Sequence, residues 1–193
     1  MSTLNAPPYP TLVEALWPHA GAKRRLLLLL SASLLVALAA RVTIPLPFSP
    51  VPITGQTFAV LLVGALLGRR MGALAMLAYL AEGAAGLPVF AGGVGGPAVL
   101  VGPTAGYLYG FVAAALVVGW LCERGWDRRP VTAALAMLAG NAVIYLFGLP
   151  WLALFIGPER VLAAGLLPFI PGDLLKLLLA TLALPAGWRL LAR

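Results

Sequence analysis

Residues 131–156, VTAALAMLAGNAVIYLFGLPWLALFI, form a continuous run of mainly apolar residues that contains no charged residue. A helix needs about 20 consecutive apolar residues to cross a bilayer, and this run is long enough. Five further apolar runs cover residues 26–44, 54–67, 72–80, 104–121 and 174–191. The runs 54–67 and 72–80 are short, so we expect two short or tilted helices there. The pattern predicts an all-α, polytopic membrane protein with six transmembrane helices in one bundle.

Composition supports this interpretation. Of 193 residues, 62% are hydrophobic and only 10% are charged, whereas a soluble domain carries about 25% charged residues. Too few polar side chains are present to cover a soluble core, and the same composition excludes disorder. The single cysteine, Cys122, excludes a disulfide framework and a Cys-rich metal site. We expect residues 26–193 to form the membrane domain and residues 1–25 an N-terminal cytoplasmic or interfacial arm.

The basic residues predict the orientation of the chain. With a cytoplasmic N-terminus and six spans, the loops opposite the cytoplasm hold only Arg41 and Arg160, and Lys176 lies inside the last run. The cytoplasmic segments hold the other ten, Lys23, Arg24, Arg25, Arg69, Arg70, Arg124, Arg128, Arg129, Arg189 and Arg193. Positive residues concentrate on the cytoplasmic side of membrane proteins. We therefore predict a multi-pass protein of the bacterial or archaeal plasma membrane with both termini cytoplasmic. The net charge of +7 then reflects topology and contact with lipid rather than nucleic-acid binding.

The first run has an alternative interpretation. Lys23-Arg24-Arg25, followed by an apolar stretch that ends in Ala37-Leu38-Ala39, resembles an export signal with a small-residue cleavage site. Cleavage would leave five spans and place the basic loops on the opposite side, so an uncleaved first helix is favoured. The only histidine, His19, precedes this run and is expected at the surface.

The loops on the outer side are long, poor in charge and rich in Gly and Pro. They cover residues 45–56, 83–106 and 157–172. Irregular backbone at membrane depth is tolerated where it is buried or lines a cavity. We expect re-entrant or capping loops over a pocket; the alternative is that they only plug the bundle.

Polar residues inside the apolar runs indicate a binding site. Asp173 and Lys176 lie three residues apart and share a helix face. Ionisable groups at membrane depth mark function by default, although a structural ion pair is the alternative. Six further polar residues are predicted at the same level, namely Gln56, Glu82, Tyr107, Tyr109, Asn141 and Tyr145. Each could serve only in contacts between helices, but together they predict an apolar pocket with a few polar groups that faces outward.

Motifs of catalysis and energy conversion are missing from the sequence. It contains no GxxxxGK[ST] phosphate loop, no HExxH and no GxSxG. We therefore expect neither an enzyme nor a protein with a cofactor or metal, but a membrane protein that binds a small solute and has no energy source of its own. A membrane enzyme, or a channel or ion-coupled carrier that uses Asp173 and Lys176 as a relay, remains an alternative.

Five stretches of the sequence resemble one family. SPVPITGQTFAVLLVGALLG (49–68), GLPVFAGG (86–93), GPTAGYLYGF (102–111), NAVIYLFG (141–148) and PFIPGDLLK (168–176) are similar to the BioY family. Members are the biotin-specific substrate-binding (S) components of energy-coupling factor (ECF) transporters. The resemblance extends over residues 26–176 and implies a six-helix bundle with a biotin pocket near the outer face.

The resemblance also implies roles for individual residues. Asp173 would accept hydrogen bonds from the ureido nitrogens of biotin, and Lys176 would serve the ureido carbonyl or another oxygen. Neutral hydrogen bonds would come from Gln56, Tyr107, Asn141 and Tyr145, apolar lining from Phe90 and Trp151, and a second acceptor from Glu82. The loop 92–101 is uncharged, which leaves the partner of the biotin carboxylate open; its backbone N–H groups are the candidates.

The resemblance further implies partner proteins. Biotin would be captured outside and moved by reorientation in a complex with a coupling transmembrane subunit and two cytosolic ATPase subunits. Ser33 and Ala37 on the first helix have the small-xxx-small spacing that allows close approach of a partner helix. A stand-alone small-solute or ion-coupled carrier is the alternative, because nothing in the sequence fixes a requirement for partners.

Overall fold

The computed structural model describes residues 9–18 and 21–191; the expectations for His19 and Arg193 fall outside these residues. The described chain is mostly helical. Its helices are α1 (Leu12–Leu16), α2 (Ala22–Ala39), α3 (Gln56–Ala84), α4 (Ala105–Cys122), α5 (Pro130–Ile156), α6 (Pro158–Gly165) and α7 (Ile170–Leu191). Strands β1 (Thr43–Leu46) and β2 (Ser49–Thr54) follow α2, and short 3₁₀ turns cover Ala91–Gly93, Pro97–Val101 and Trp126–Arg128.

Four of these helices, α3, α4, α5 and α7, are long and apolar enough to cross a membrane. Helix α2 has the same length as α4, 18 residues, but it begins with the basic triplet Lys23-Arg24-Arg25. Helix α2 also begins at Ala22, so the predicted boundary between residues 25 and 26 lies within its first turn.

Helix α3 is a hairpin of two antiparallel arms. Gly68 interrupts it with a φ of 77° and a ψ of 177°, a region of backbone space that is nearly restricted to glycine. A Cβ built on Gly72 would lie 3.0 Å from the Cα of Gly64, although a continuous helix would separate two such residues by about 12 Å. The two short apolar runs of the sequence thus form separate arms, as expected.

The ends of the molecule differ in composition. One end, here called the loop end, contains the β1–β2 hairpin, residues 85–104 and α6. The opposite end, here called the charged end, contains α1, the Gly68 reversal and residues 123–129. The helices between them pack closely through small residues. A Cβ on Gly64, for example, would lie 2.8 Å from the carbonyl oxygen of Ala115 on α4.

The loop end contains regular structure that the all-α prediction did not include. Strands β1 and β2 pair antiparallel, with Thr43 opposite Thr54 and Ile44 opposite Ile53. The hydroxyl of Ser49 donates to the carbonyl oxygen of Ala164 at 2.8 Å and so joins β2 to α6. Antiparallel pairing satisfies backbone N–H and C=O groups in a segment whose prolines prevent a helix.

Candidate functional site

A cavity of about 300 Å³ lies at the loop end. Strand β2, the segment 90–99 and the first turns of α3, α4 and α7 surround it. Its lining is mainly apolar, with a few polar side chains: Pro50, Val51, Pro52, Thr54, Gln56, Thr57, Phe90, Ala91, Val94, Val99, Thr104, Tyr107, Leu108, Phe111, Phe169, Asp173 and Lys176. Five of the nine predicted substrate-binding residues are among them, namely Gln56, Phe90, Tyr107, Asp173 and Lys176.

The ion pair predicted on the last helix borders the cavity. Lys176 Nζ lies 3.2 Å from Asp173 Oδ1 and donates to Thr57 Oγ1 at 2.8 Å. The hydroxyl of Tyr145 donates to the other carboxylate oxygen, Asp173 Oδ2. Each carboxylate oxygen therefore has one protein donor, and since an ionised carboxylate offers about four acceptor positions, capacity remains for a ligand. The Asp173 carboxylate is accordingly able to accept from N–H donors of a solute, and the Lys176 ammonium can only donate.

Gln56 is held at the start of α3 by a chain of hydrogen bonds across the hairpin. Its Nε2 donates to the Tyr79 hydroxyl at 2.6 Å, and that hydroxyl donates to the carbonyl oxygen of Val89 at 2.9 Å. One of the two N–H donors of the amide is thus in use, and the amide oxygen accepts no hydrogen bond from the described residues.

Two tyrosines meet between the cavity and α6. The rings of Tyr107 and Tyr145 pack edge to face, with centroids 6.4 Å apart. The Tyr107 hydroxyl donates to the carbonyl oxygen of Gly165 at 2.9 Å, so Tyr107 contributes its ring to the cavity and uses its hydroxyl for structure. Tyr145 does not line the cavity itself and reaches the site through Asp173.

The apolar wall includes Phe90, which is almost completely buried. Its ring packs edge to face on Tyr79, with centroids 5.5 Å apart, and fills the space beside Gly83, where a Cβ would lie 2.1 Å from the ring. The wall is thus formed by rigid aromatic packing rather than by a free loop.

Besides Tyr145, three predicted substrate-binding residues lie outside the cavity lining. Asn141 is buried in α5, one helical turn from Tyr145 on the side away from the loop end. Trp151 packs on Tyr109 and donates from Nε1 to the carbonyl oxygen of Gly102 at 3.0 Å, so it anchors the start of α4. Glu82 accepts a hydrogen bond from the Ser33 hydroxyl. For Trp151 and Glu82 the geometry indicates structural contacts, because their polar groups are bonded to a loop and to another helix. A role of Asn141 in binding stays a prediction.

The predicted partner-binding pair is turned inward. Ser33 is fully buried and Ala37 is 8% exposed, and the bond from Ser33 to Glu82 joins α2 to the second arm of α3. The structure uses these positions for contacts within the chain, and their role toward a partner subunit stays a prediction. The small side chains allow α2 to approach the chain's own helices, and the outer surface of α2 is formed by leucines such as Leu27 and Leu34.

Several polar lining residues were not predicted from the sequence. Thr57 binds the Lys176 ammonium group, while Thr54 and Thr104 add two hydroxyl groups to the lining. Threonine is common in apolar helices and strands, so its type gave no signal. The useful signal was position, since Thr57 directly follows Gln56 at the start of a membrane-length helix.

The chain is similar in sequence to proteins of one family. The BioY family model matches residues 13–193. The biotin transporter BioY of Rhizobium etli is 42% identical over 173 residues, which cover 84% of this chain and 92% of that protein. The biotin transporter BioY of Thermotoga maritima is 43% identical over 141 residues, covering 72% of this chain and 82% of the relative.

A solved structure shares the fold. The crystal structure of the S-component for biotin from an ECF-type ABC transporter superposes with a TM-score of 0.74 at 25% identity. The match covers 89% of this chain and 95% of that one. Both comparisons agree with the resemblance noted in the sequence, and the chain belongs to the BioY family.

Proposed function

We propose that this chain captures biotin for uptake, as the substrate-specific S component of an ECF-type transporter. The observation that carries the proposal is the Asp173–Lys176 pair at an apolar cavity of about 300 Å³, in a chain whose relatives are biotin transporters. A cavity of this size suits one small molecule with a bicyclic ring.

The chemistry of the cavity matches the polar groups of biotin. The ureido ring of biotin offers two N–H donors and a carbonyl acceptor on adjacent atoms. Asp173 would accept from the N–H groups, and Lys176, held by Thr57, would donate to the carbonyl oxygen. Charge-assisted hydrogen bonds of this kind are the strong ones. The amide oxygen of Gln56 is a further acceptor, and Phe90 and Phe169 surround the apolar bicycle.

The proposed topology has six membrane crossings. They are α2, the two arms of α3, α4, α5 and α7, which form the membrane domain of residues 26–193 after an arm of residues 1–25. Support comes from the reversal at Gly68 and from the separation of charge between the two ends. With Arg69, Arg124 and Arg128 at the charged end, the positive-inside rule places that end and both termini in the cytoplasm of a bacterial or archaeal cell.

Energy would come from partner proteins. The proposed complex contains a coupling transmembrane subunit and two cytosolic ATPase subunits, because this sequence has no phosphate-binding loop. The chain itself is proposed to be a binding subunit and not an enzyme. A stand-alone carrier with the Asp173–Lys176 pair as an ion relay is the second candidate, and the buried position of that pair is the observation that favours it.

Equilibrium binding of biotin to the purified chain in detergent tests the proposal. The variants are Asp173→Asn and Lys176→Ala, with Glu159→Gln on α6 as a matched control at the same end. Removing one charged partner of a buried hydrogen bond costs roughly 2–4 kcal/mol, so we expect the Kd to rise about 30-fold or more in both variants. The control should retain the parental Kd.

Two results would contradict the proposal. If the parent chain does not bind biotin, the function is wrong. If it binds biotin and both variants bind equally well, the site is wrong. For the second candidate, reconstituted vesicles without partner subunits should show biotin uptake or a proton flux, and the absence of both eliminates it.

A further inference from the structure

We infer that Arg41 binds the carboxylate of the ligand at the mouth of the cavity. The inference rests on the proposed function, since it assigns the group that recognises the acidic end of biotin. Arg41 lies between α2 and β1 and is exposed. The sequence marked it only as a basic residue on the outer side.

The structure places the Arg41 guanidinium against the segment 88–93. Its Nη2 donates to the carbonyl oxygen of Pro88 at 2.7 Å. A Cβ built on Gly93 would lie 2.5 Å from Nη1, so only glycine at that position allows the guanidinium to lie so close. The side chain is therefore docked on this segment and is not a free surface cation.

That segment is also a wall of the cavity. Phe90, Ala91 and Val94 all line it, and the backbone N–H of Gly92 donates to Thr43 Oγ1 at 3.4 Å, two residues after Arg41. Arg41 is not itself a lining residue; its guanidinium lies against Pro88 and Gly93, which flank the lining residues Phe90 and Ala91, whereas Asp173 and Lys176 occupy the side formed by α7. A ligand that places its ureido ring on α7 would direct its acidic tail toward this segment.

Several other donors near the mouth of the cavity are already engaged. The N–H groups of Gly92, Gly93 and Gly96 donate to Thr43 Oγ1, to the carbonyl of Phe90 and to the carbonyl of Gly83. Lys176 uses two of its three donors on Asp173 and Thr57, and the third is the one proposed for the ureido carbonyl. Arg41 is therefore the charged donor next to the segment 88–93 that is left for the carboxylate.

Arg41 has free donors for this role. A guanidinium carries five N–H donors. Among the described residues the ion pairs are Arg69–Glu123 and Asp173–Lys176, so no carboxylate neutralises Arg41 there. The planar fork of a guanidinium binds a carboxylate through two parallel hydrogen bonds. The geometry thus assigns recognition of the carboxylate to Arg41.

The test compares two ligands, biotin and its neutral primary amide, on the purified chain. The variants are Arg41→Gln and Arg41→Lys, with Arg160→Gln on α6 as the matched outer-side control. For Arg41→Gln we expect the biotin Kd to rise about tenfold or more and the amide Kd to change by less than about twofold. For Arg41→Lys we expect a biotin Kd between those of the parent and Arg41→Gln, because lysine keeps the positive charge but cannot form two parallel hydrogen bonds to a carboxylate. Arg160→Gln should match the parent for both ligands.

The result that overturns the inference is an equal effect of Arg41→Gln on both ligands, or no effect on either. A parent chain that binds biotin and its amide equally well also overturns it, since no cation then recognises the carboxylate. These outcomes differ from failure of the proposed function, in which the parent chain binds neither ligand. Retained binding of the amide by Arg41→Gln shows that the variant is folded.

Discussion

The two ends of the bundle use their buried acids in opposite ways. At the charged end, Asp127 is fully buried, and its Oδ2 accepts from the Trp188 indole at 2.6 Å. At the loop end, Asp173 is nearly as buried but borders a cavity. The first acid joins the turn after α4 to α7, whereas the second keeps acceptor capacity for a solute.

The charged end is closed by contacts within the chain. Glu123 accepts from the backbone N–H of Arg69 at 2.9 Å and pairs with the Arg69 side chain at 3.2 Å, which fixes the reversal at Gly68. The guanidinium of Arg128 lies 4.6 Å from the Tyr9 ring and 4.3 Å from the Trp188 ring. The N-terminal segment is thereby packed over this end.

Burial of a charge therefore does not by itself identify a binding site. What distinguishes Asp173 from Asp127 is a neighbouring cavity and a cation at hydrogen-bond distance. Changes at the charged end should therefore reduce stability and spare ligand binding, and changes around Asp173 should do the reverse.

The largest expected effect is on stability, from Gly68→Ala at the charged end. The backbone there is nearly restricted to glycine, and a Cβ would lie 2.7 Å from Glu123 Oε1. We expect a loss of about 2–4 kcal/mol in the free energy of unfolding in detergent. The biotin Kd of the folded fraction should be unchanged.

The control for this variant is Gly172→Ala, where a Cβ would have no neighbour within 4 Å. It should leave the free energy of unfolding close to that of the parent. Equal stability of the two variants would show that the reversal at Gly68 does not need glycine.

The second prediction concerns the pH dependence of stability at the charged end. Burial raises the pKa of the Asp127 carboxyl above its ordinary value of 3.8, and the Trp188 hydrogen bond and nearby Arg128 offset this only in part. The folded state then binds the Asp127 proton more tightly than the unfolded state. Stability from this group is therefore greatest below the unfolded pKa and declines as pH rises to the folded pKa.

Asp127→Asn should remove that decline, which amounts to about 1.4 kcal/mol for each unit of pKa shift. Thermal unfolding at several pH values between 4 and 8 measures it, with the exposed acid variant Glu159→Gln as control. Identical pH profiles for Asp127→Asn and the parent would contradict the assignment.

The third prediction concerns the loop end. Tyr145→Phe removes the donor to Asp173 Oδ2, so the carboxylate is less well oriented for a ligand. We expect the biotin Kd to rise about fivefold, equivalent to roughly 1 kcal/mol, with little change in thermal stability. Titration calorimetry of the purified variant measures it.

Tyr109→Phe is the matched control, since the Tyr109 hydroxyl donates to the carbonyl oxygen of Leu100 at 2.6 Å and does not contact Asp173. If Tyr109→Phe weakens biotin binding as much as Tyr145→Phe, the effect comes from the loops rather than from Asp173.

The smallest expected effect is at Glu82, which the sequence assigned to the site and the structure pairs with Ser33. Glu82→Gln keeps an acceptor for the Ser33 hydroxyl. Biotin affinity should therefore stay within about twofold of the parent value. A tenfold loss of affinity in a binding titration would show that Glu82 contributes to biotin binding.

Much of the fold and part of the site followed from sequence patterns. The apolar runs located α2, the two arms of α3, α4, α5 and α7, because a largely apolar segment has few stable environments other than a membrane or a core. The short helices α1 and α6 lie outside these runs. Asp173 and Lys176 were identified because charges are rare in such segments. Residue type alone was enough to single out a candidate site residue where burying that type costs much free energy.

Contacts between residues that lie far apart in the chain could not be predicted from sequence patterns. Ser33 and Glu82 lie 49 residues apart in the chain, and Lys176 and Thr57 are 119 apart, so periodicity along one helix carries no information on either contact. The inward turn of Ser33 and the docking of Arg41 on Gly93 have the same origin. Each depends on how two helices or loops approach one another.

By itself, the sequence determined that this is a helical membrane protein with its basic residues gathered toward one end and one buried ion pair at the other. Transfer free energies of single residues set these properties, and such energies can be read from residue type. Only the tertiary structure decided which polar groups border the cavity and which are consumed between helices. A polar side chain must find a hydrogen-bond partner when buried, and whether that partner is another helix or a ligand depends on the packing of the whole bundle.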